Sequence, residues 1–240
     1  MSFFDTTEWS FPPVTSWPDD DVIAVGADLE PETLLYGYAH GFFPMYLDHK
    51  SRLLGWWSPQ QRGVLPLDGL IVSRSMRQSA RKYTTTFNVA FRDVMLGCAS
   101  QREDGNWITD DFVDAYCTLH SLGWAHSVET WDDNDQLVGG LYGVRINRFF
   151  AGESMFHRKT DASKVALMSL VGAMQADNME LLDTQWQTEH LASLGVIEVP
   201  RLQYLDLLAQ AVRSQKGYLS AIAKLEAWQP TTPRAETTHG

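Results

Sequence analysis

The stretch from Trp124 to Phe156, WAHSVETWDDNDQLVGGLYGVRINRFFAGESMF, constrains the fold more than any other part of the chain. Two turn signals, Asp132-Asp133-Asn134-Asp135 and Ile146-Asn147-Arg148, divide it into three runs rich in aliphatic and aromatic residues, which predicts a three-strand meander. The middle run carries Gly139, Gly140 and Gly143. Glycine weakens a strand, so three together imply a bulge or the close approach of another backbone or a ligand. The third run ends on Gly152-Glu153-Ser154-Met155-Phe156, a carboxylate among large apolar neighbours. Beyond a helical segment comes a fourth strand, Leu181-Leu182-Asp183-Thr184-Gln185-Trp186. Side chains two apart on a strand share a face, so Asp183 and Gln185 point one way, where Glu153 could join them in one cleft.

Around this centre the chain mixes helical and extended patterns. Residues 1–21, rich in Pro, Trp, Phe and Asp without period, read as an extended arm, and Val22 to Asp28 as a short strand or turn. Pro31 opens a helix running to about His40, with Gly41 as its stop. An aromatic loop begins at Phe42-Phe43-Pro44, returns at Trp56-Trp57-Ser58-Pro59, and is expected to fill the core of a small domain. Val64 to Leu70 and Tyr83 to Val89 read as strands flanking a basic helix, Ser73–Lys82. Helices follow over Phe91–Ser100 and Asp110–Leu122, the second with Phe112, Tyr116 and Leu119 on one stripe. After the meander, Thr160 or Asp161 caps a helix reaching Gln175. The end of the chain reads as a short helix Glu189–Leu194, a strand Val196–Val199 and an amphipathic helix from Pro200 through Val212. One more helix is expected at Tyr218–Trp228, then a polar tail.

The bulk numbers exclude several classes. A chain of 240 residues with 44% hydrophobic and 12% aromatic content is neither disordered nor too small for a proper core. Its two cysteines, Cys98 and Cys117, read as reduced thiols, and no apolar run is long enough for a membrane span, so a cytoplasmic protein is expected. The net charge of −11 argues against a nucleic-acid partner until its distribution is considered. Residues 1–49 hold every acid from Asp5 to Asp48 and no Lys or Arg, whereas residues 69–92 hold Arg74, Arg77, Arg81, Lys82 and Arg92 and no acid. Such asymmetry gives one face that repels phosphates and one that attracts them, although a solvated helix face explains the composition equally well.

Other chemistries find no support. No Cys/His set has zinc spacing, and there is no Walker A loop or GxSxG elbow. The Gly139–Gly143 cluster lacks the strand-to-helix context of a dinucleotide fingerprint. The order of meander, helix, strand, short helix and strand resembles that of GNAT-type acyltransferases. The Arg/Gln-x-x-Gly-x-Gly/Ala loop by which those enzymes hold coenzyme A is missing.

At the level of motifs the chain closely resembles the bacterial leucyl/phenylalanyl-tRNA–protein transferases. The matching segments include Gly41-Phe42-Phe43-Pro44, Trp56-Trp57-Ser58-Pro59, Ser73-Arg74-Ser75-Met76 and Trp107-Ile108-Thr109. Gly139-Gly140-Leu141-Tyr142-Gly143, Gly152-Glu153-Ser154-Met155-Phe156, Leu182-Asp183-Thr184-Gln185 and His190-Leu191-Ala192-Ser193-Leu194-Gly195 continue the match, which spans about residues 22–213 in order. The resemblance implies a small N-terminal domain (1–62), a GNAT-like domain with a mixed, largely antiparallel sheet (63–213), and a C-terminal extension (214–240). It implies transfer of Leu or Phe, and more weakly Met, from aminoacyl-tRNA to proteins that begin with Lys or Arg, marking them for degradation, with no cofactor or metal. By motif position it makes Asp183 and Gln185 the catalytic pair and Glu153 an essential acid. It also implies an aminoacyl pocket near Trp107, Tyr116, Leu141, Phe150 and Leu170, and a tRNA contact along Arg74, Arg77, Arg81 and Lys82.

The chain departs from the family pattern at Met45, where Trp is usual, at Leu141 (often Met), Leu170 (often Phe) and Thr188 (often Asn), and its basic segment is thinner. These positions bear on side-chain preference and tRNA affinity and leave the chemistry intact. Two other functions compete: a non-catalytic module that binds basic N-termini through the acidic N-terminal part, and an enzyme using another acyl donor. Transfer of labelled Leu from charged tRNA to an Arg-starting protein separates all three.

Overall fold

The computed structural model describes residues 7–48, 52–100 and 108–213. Two sheets organise them. The smaller has three strands in the order β1-β3-β2, from β1 (Val22–Val25), β2 (Phe43–Tyr46) and β3 (Leu54–Trp57), with α1 (Pro31–His40) connecting β1 to β2. The larger has seven strands in the order β10-β4-β9-β8-β7-β6-β5. Its members are β4 (Gln61–Leu65), β5 (Thr84–Phe87), β6 (Ala125–Trp131), β7 (Leu137–Ile146), β8 (Phe149–His157), β9 (Leu181–Gln185) and β10 (Ile197–Pro200). Every neighbouring pair is antiparallel except β8 and β9. Parallel strands need a crossover, here α5 (Ala162–Ala176). The expected class, a mixed and largely antiparallel α/β fold, is the one the chain adopts.

The meander is β6-β7-β8, and its turns obey the sequence. Asp132 Oδ1 accepts from the backbone N–H groups of Asn134 and Gln136, and Asp135 and Asn147 take the left-handed conformation that short polar side chains tolerate. The remaining helices are α2 (Arg74–Ala80), α3 (Phe91–Ser100), α4 (Asp110–Ser121), α6 (Glu189–Ser193) and α7 (Arg201–Arg213). Helices α3 and α4 cover one face of the large sheet, and α5 and α2 cover the other. Alternation along β7 sends Tyr142 to the first face, edge-on to Tyr116 and Phe91, and Leu141 to the second.

Close backbone approach, one of the two readings of the β7 glycines, explains Gly139: a Cβ there would lie 2.6 Å from the Cβ of Ala162 at the start of α5. A bulge explains Gly143. Tyr142 pairs with Ser154 but Gly143 pairs with Gly152, so Glu153 is an extra residue in β8. A Cβ on Gly143 would stand 2.1 Å from the Ala151 carbonyl oxygen.

Three expectations need correction. The aromatic loop of residues 42–59 contains two strands, β2 and β3, whose Phe43 and Trp56 are buried. Cross-strand pairs of large side chains, Phe43 with Trp57 and Tyr46 with Leu54, make good strands, which Pro44 within β2 and Pro59 after β3 disguised. The strand expected from Val64 begins earlier, at Gln61, and ends at Leu65. Asp161 occupies the N-cap of α5 without capping it, because its carboxylate is engaged by Lys164 and by the Ser79 hydroxyl of α2. The helix expected at Tyr218–Trp228 lies outside the described residues.

One apolar cluster runs from the small sheet and α1 (Ile23, Leu34, Trp56) through α7 (Tyr204, Leu208) to α3, α4 and the meander (Met95, Phe112, Phe156). A second lies under α5 on the opposite face (Leu141, Phe150, Leu170, Leu182). Among the described residues no helix is long and apolar enough to cross a membrane.

Candidate active site

The C-terminal ends of the parallel pair β8 and β9 carry the acids. Glu153, Asp183 and Gln185 meet on the α3/α4 face, and each is almost wholly buried, at 6%, 0% and 9% exposure. Gln185 Nε2 donates to Glu153 Oε1 at 2.9 Å, and the Gln185 backbone N–H donates to Asp183 Oδ1 at 2.8 Å. Gln185 is itself in the left-handed region, at φ 65°. Alternation from Phe149 and Ala151 turns Glu153 to the side that Asp183 and Gln185 occupy, and the bulge falls at this position.

The two carboxylates are in opposite condition. Asp183 is saturated. Its Oδ1 accepts from Arg62 Nε at 2.8 Å and from the Gln185 N–H, and its Oδ2 accepts from Arg62 Nη2 at 2.7 Å and the Tyr204 hydroxyl at 2.9 Å. Arg62 is 1% exposed, lies between the rings of Phe43 and Tyr204, and also donates to the Gly41 carbonyl. Burial opposes its charge, but Asp183, Tyr204 and Glu153 together outweigh burial and hold the guanidinium protonated.

Glu153, by contrast, is less fully held: its Oε2 is buried and makes no direct hydrogen bond of good geometry among the described residues, with the Tyr38 and Tyr116 hydroxyls acting on the carboxyl from alongside. Burial lifts its pKa to about 7, the Asp183 charge adding to the rise while Tyr38, Gln185 and Arg62 oppose it. Tyr38 of α1 and Tyr116 of α4 share a short hydroxyl–hydroxyl hydrogen bond beside it. Burial and the Glu153 charge keep both phenols protonated. A carboxyl that changes charge near neutrality, with one oxygen lacking a direct hydrogen bond, is suited to holding and accepting a proton from an amine.

The other residues singled out from the sequence separate into groups. Leu141, Phe150 and Leu170 come together in the cluster under α5, but Tyr116 lies across the sheet with the acids. Trp107 lies outside the described residues. Arg74, Arg77, Arg81 and Lys82 are exposed and make no ion pair with a described residue. Their helix is anchored by buried Met76 and held to the loop after β8 by Ser79 on Asp161 and Tyr83 on the Thr160 carbonyl. No group of three or more His, Cys, Asp or Glu side chains that could hold a metal occurs among the described residues. Sequence reasoning missed Arg62, Tyr204 and Tyr38. The one signal for Arg62 was a lone cation leading into the apolar run Gly63-Val64-Leu65; nothing local set Tyr38 or Tyr204 apart.

Comparison with known proteins bears on this geometry. The pattern defining the leucyl/phenylalanyl-tRNA protein transferase matches residues 64–209, and that of its N-terminal domain matches residues 27–60. The chain belongs to that family. The leucyl/phenylalanyl-tRNA–protein transferase of Tolumonas auensis is 46% identical over 213 residues, 87% of each chain. That of Syntrophobacter fumaroxidans is 47% identical over 212 residues, 86% of this chain and 89% of its own. Among solved structures, L-PGS from Bacillus licheniformis aligns over 64% of this chain and 65% of its own at 10% identity and a TM-score of 0.39. As a member of this transferase family the chain is an enzyme.

Proposed function

We propose that the protein moves Leu or Phe, and more slowly Met, from aminoacyl-tRNA to the N-terminal Lys or Arg of acceptor proteins, marking them for degradation in the cytoplasm. The carrying observation is Glu153: a buried carboxyl with a pKa near 7, one oxygen held by Gln185 and the other lacking a direct hydrogen bond. An aminoacyl ester is already activated, so the reaction needs positioning and proton handling more than a cofactor. The acceptor α-amine, with an ordinary pKa of roughly 7.7–8, is mostly protonated at neutral pH and must lose a proton to attack.

In this reading Glu153 Oε2 takes that proton, a transfer between groups of nearly matched pKa. The neutral amine attacks the ester carbonyl carbon; the new C–N bond forms and the C–O bond to the terminal ribose breaks. As the C–O bond breaks, the protonated Glu153 gives its proton to the departing ribose oxygen and takes the second amine proton as the amide forms; it then releases that proton to water, leaving an amide, a free tRNA hydroxyl and the carboxylate as it began. Gln185 keeps Glu153 oriented. Asp183, with all its acceptor positions occupied, serves as the anchor of Gln185 and not as the base.

Leu141, Phe150 and Leu170 are proposed to bound the aminoacyl side chain; Tyr116, across the sheet beside Glu153, is not part of that layer. An apolar pocket discriminates by about 1–3 kcal/mol per methylene. The exposed cations of α2 are proposed to meet the tRNA phosphates, beside the loop that leaves β8. The test is single-turnover transfer of labelled Leu from saturating charged tRNA to an Arg-starting peptide. Transfer from the tRNA ester is expected; its absence, or a requirement for a thioester donor, overturns the proposal.

A further inference from the structure

The Asp183 carboxylate is clamped by two residues that come from outside the reactive strand pair. Arg62 stands at the start of β4, next to the crossing between the two sheets, and Tyr204 stands on α7. Both are fully buried and both reach Asp183 Oδ2, while Arg62 Nε also holds Oδ1. Arg62 Nη2 donates in turn to the Tyr204 hydroxyl at 3.3 Å, so the three groups close a ring. Stacking against Phe43 and Tyr204, 4.8 and 4.4 Å from the ring centres, fixes the guanidinium plane. Its remaining arm donates to the Gly41 carbonyl, at the left-handed stop of α1.

What this clamp controls is the backbone beyond Asp183. Gln185 adopts a φ of 65°, which costs a non-glycine residue free energy and persists only when the surroundings enforce it. The enforcing contact is the Gln185 N–H to Asp183 Oδ1, and that oxygen keeps its place because Arg62 and Tyr204 hold the carboxylate from the other side. The turned backbone delivers the Gln185 amide to Glu153.

The geometry points to Arg62 and Tyr204 as positioning residues of the transfer reaction, acting through Asp183 on the Gln185 conformation that orients Glu153. The inference rests on the reading of Glu153 given above. It distinguishes shape from charge: the planar two-armed grip of arginine matters, and a lysine carrying the same charge cannot reproduce it.

Two substitutions test it, Tyr204→Phe, which keeps the ring and removes the hydroxyl, and Arg62→Lys, which keeps the charge and removes the fork. Single-turnover Leu transfer is followed from about pH 5.5 to 9 with saturating charged tRNA and Arg-starting peptide, beside filter binding of the tRNA and circular dichroism. The expected result is a plateau rate lowered about tenfold or more in each folded variant, with the acid-limb midpoint and tRNA affinity unchanged, as misplacement of a reacting group predicts. A plateau within about twofold of wild type in Tyr204→Phe overturns the inference. So does a moved midpoint at unchanged plateau, which makes the pair a charge-tuning device, or a joint loss of rate, tRNA binding and fold in Tyr204→Phe, which makes it structural support. Should Arg62→Lys alone fail to fold, Tyr204→Phe decides. Absence of transfer by the wild type sinks the proposed function itself, a different outcome from normal wild-type transfer with unaffected variants.

Discussion

The two faces of the β8/β9 strand pair solve burial in opposite ways. Under α5, Leu141, Phe150, Leu170 and Leu182 fill an apolar layer in which shape is the only variable. On the other face Arg62, Glu153, Asp183, Gln185 and Tyr204, with the Tyr38–Tyr116 pair, form a polar network buried as deeply as the leucines. Burying polar groups is costly unless each is paired. The network is paired almost throughout, and the exception, Glu153 Oε2, is the atom proposed to take the amine proton. An apolar layer tolerates change in proportion to volume; a closed polar ring fails at the loss of one partner.

The largest expected effect comes from breaking the exception. Glu153→Gln keeps the shape and removes the proton acceptor, so single-turnover transfer at pH 7.5 is expected to fall by about 10²–10⁴, the ordinary worth of acid–base catalysis. A rate near wild type would exclude Glu153 as base and return that role to Asp183.

Asp183→Asn separates the two acids by stability. It leaves the buried Arg62 charge short of its counterion, and breaking one half of such a pair costs about 3–5 kcal/mol, read as a lowered urea midpoint. Transfer is expected to fall with it, while tRNA binding by the surviving folded protein persists. If Asp183→Asn were as stable as wild type, the clamp would not be the anchor described here.

Glu153→Gln carries the opposite sign. The folded pKa of Glu153 is raised from an ordinary 4.5 to about 7, so its neutral form contributes stability that is fully present below pH 4.5 and is lost as pH rises through 7. The loss is on the order of 3 kcal/mol by linkage. Replacement by Gln is therefore expected to remove that decline, so the variant gains on the wild type in chemical denaturation between pH 5 and 8. An unchanged pH slope would mean that the carboxyl is not held neutral by burial.

On the apolar face the effect is smaller and selective. Leu141→Trp narrows the layer and is expected to depress Phe transfer relative to Leu by about tenfold, in line with about 1–3 kcal/mol per methylene. An unchanged Leu:Phe ratio would place the aminoacyl group elsewhere. Smallest of all, Arg77→Glu with Arg81→Glu is expected to weaken tRNA binding and flatten its salt dependence by somewhat under one unit of slope per lost phosphate contact. Affinity unchanged at low salt would move the tRNA surface away from α2.

The sequence revealed what is periodic and local. The meander, its Asx turns and the helices from Phe91 to Ser121 follow from alternation, stripes and caps within a dozen residues. The convergence of Asp183 and Gln185 was legible for the same reason, as two positions on one strand. The saturation of Asp183 was not, because its partners Arg62 and Tyr204 lie 121 and 21 positions away and neither segment carries a motif that names the other. The strands β2 and β3 were hidden by prolines, and the division of the pocket residues between two faces depends on the register of α4 and α5 against the sheet. Long-range pairing of a cation with a carboxylate leaves no mark on local patterning.

The bulge at Glu153 behaves like a change of reading frame along β8. Upstream of it, Phe149 and Ala151 face α3 and α4 while Phe150 faces α5; downstream, Phe156 faces α3 and Met155 packs toward α5, the reverse parity. Removing that one residue would restore a regular ladder in which Met155 and Phe156 face as they do now, whereas straightening the strand with every residue kept would exchange them against helices shaped for the other. The acid of the proposed site is thus the one residue the ladder does not use, an insertion carried beside a frame that would close without it.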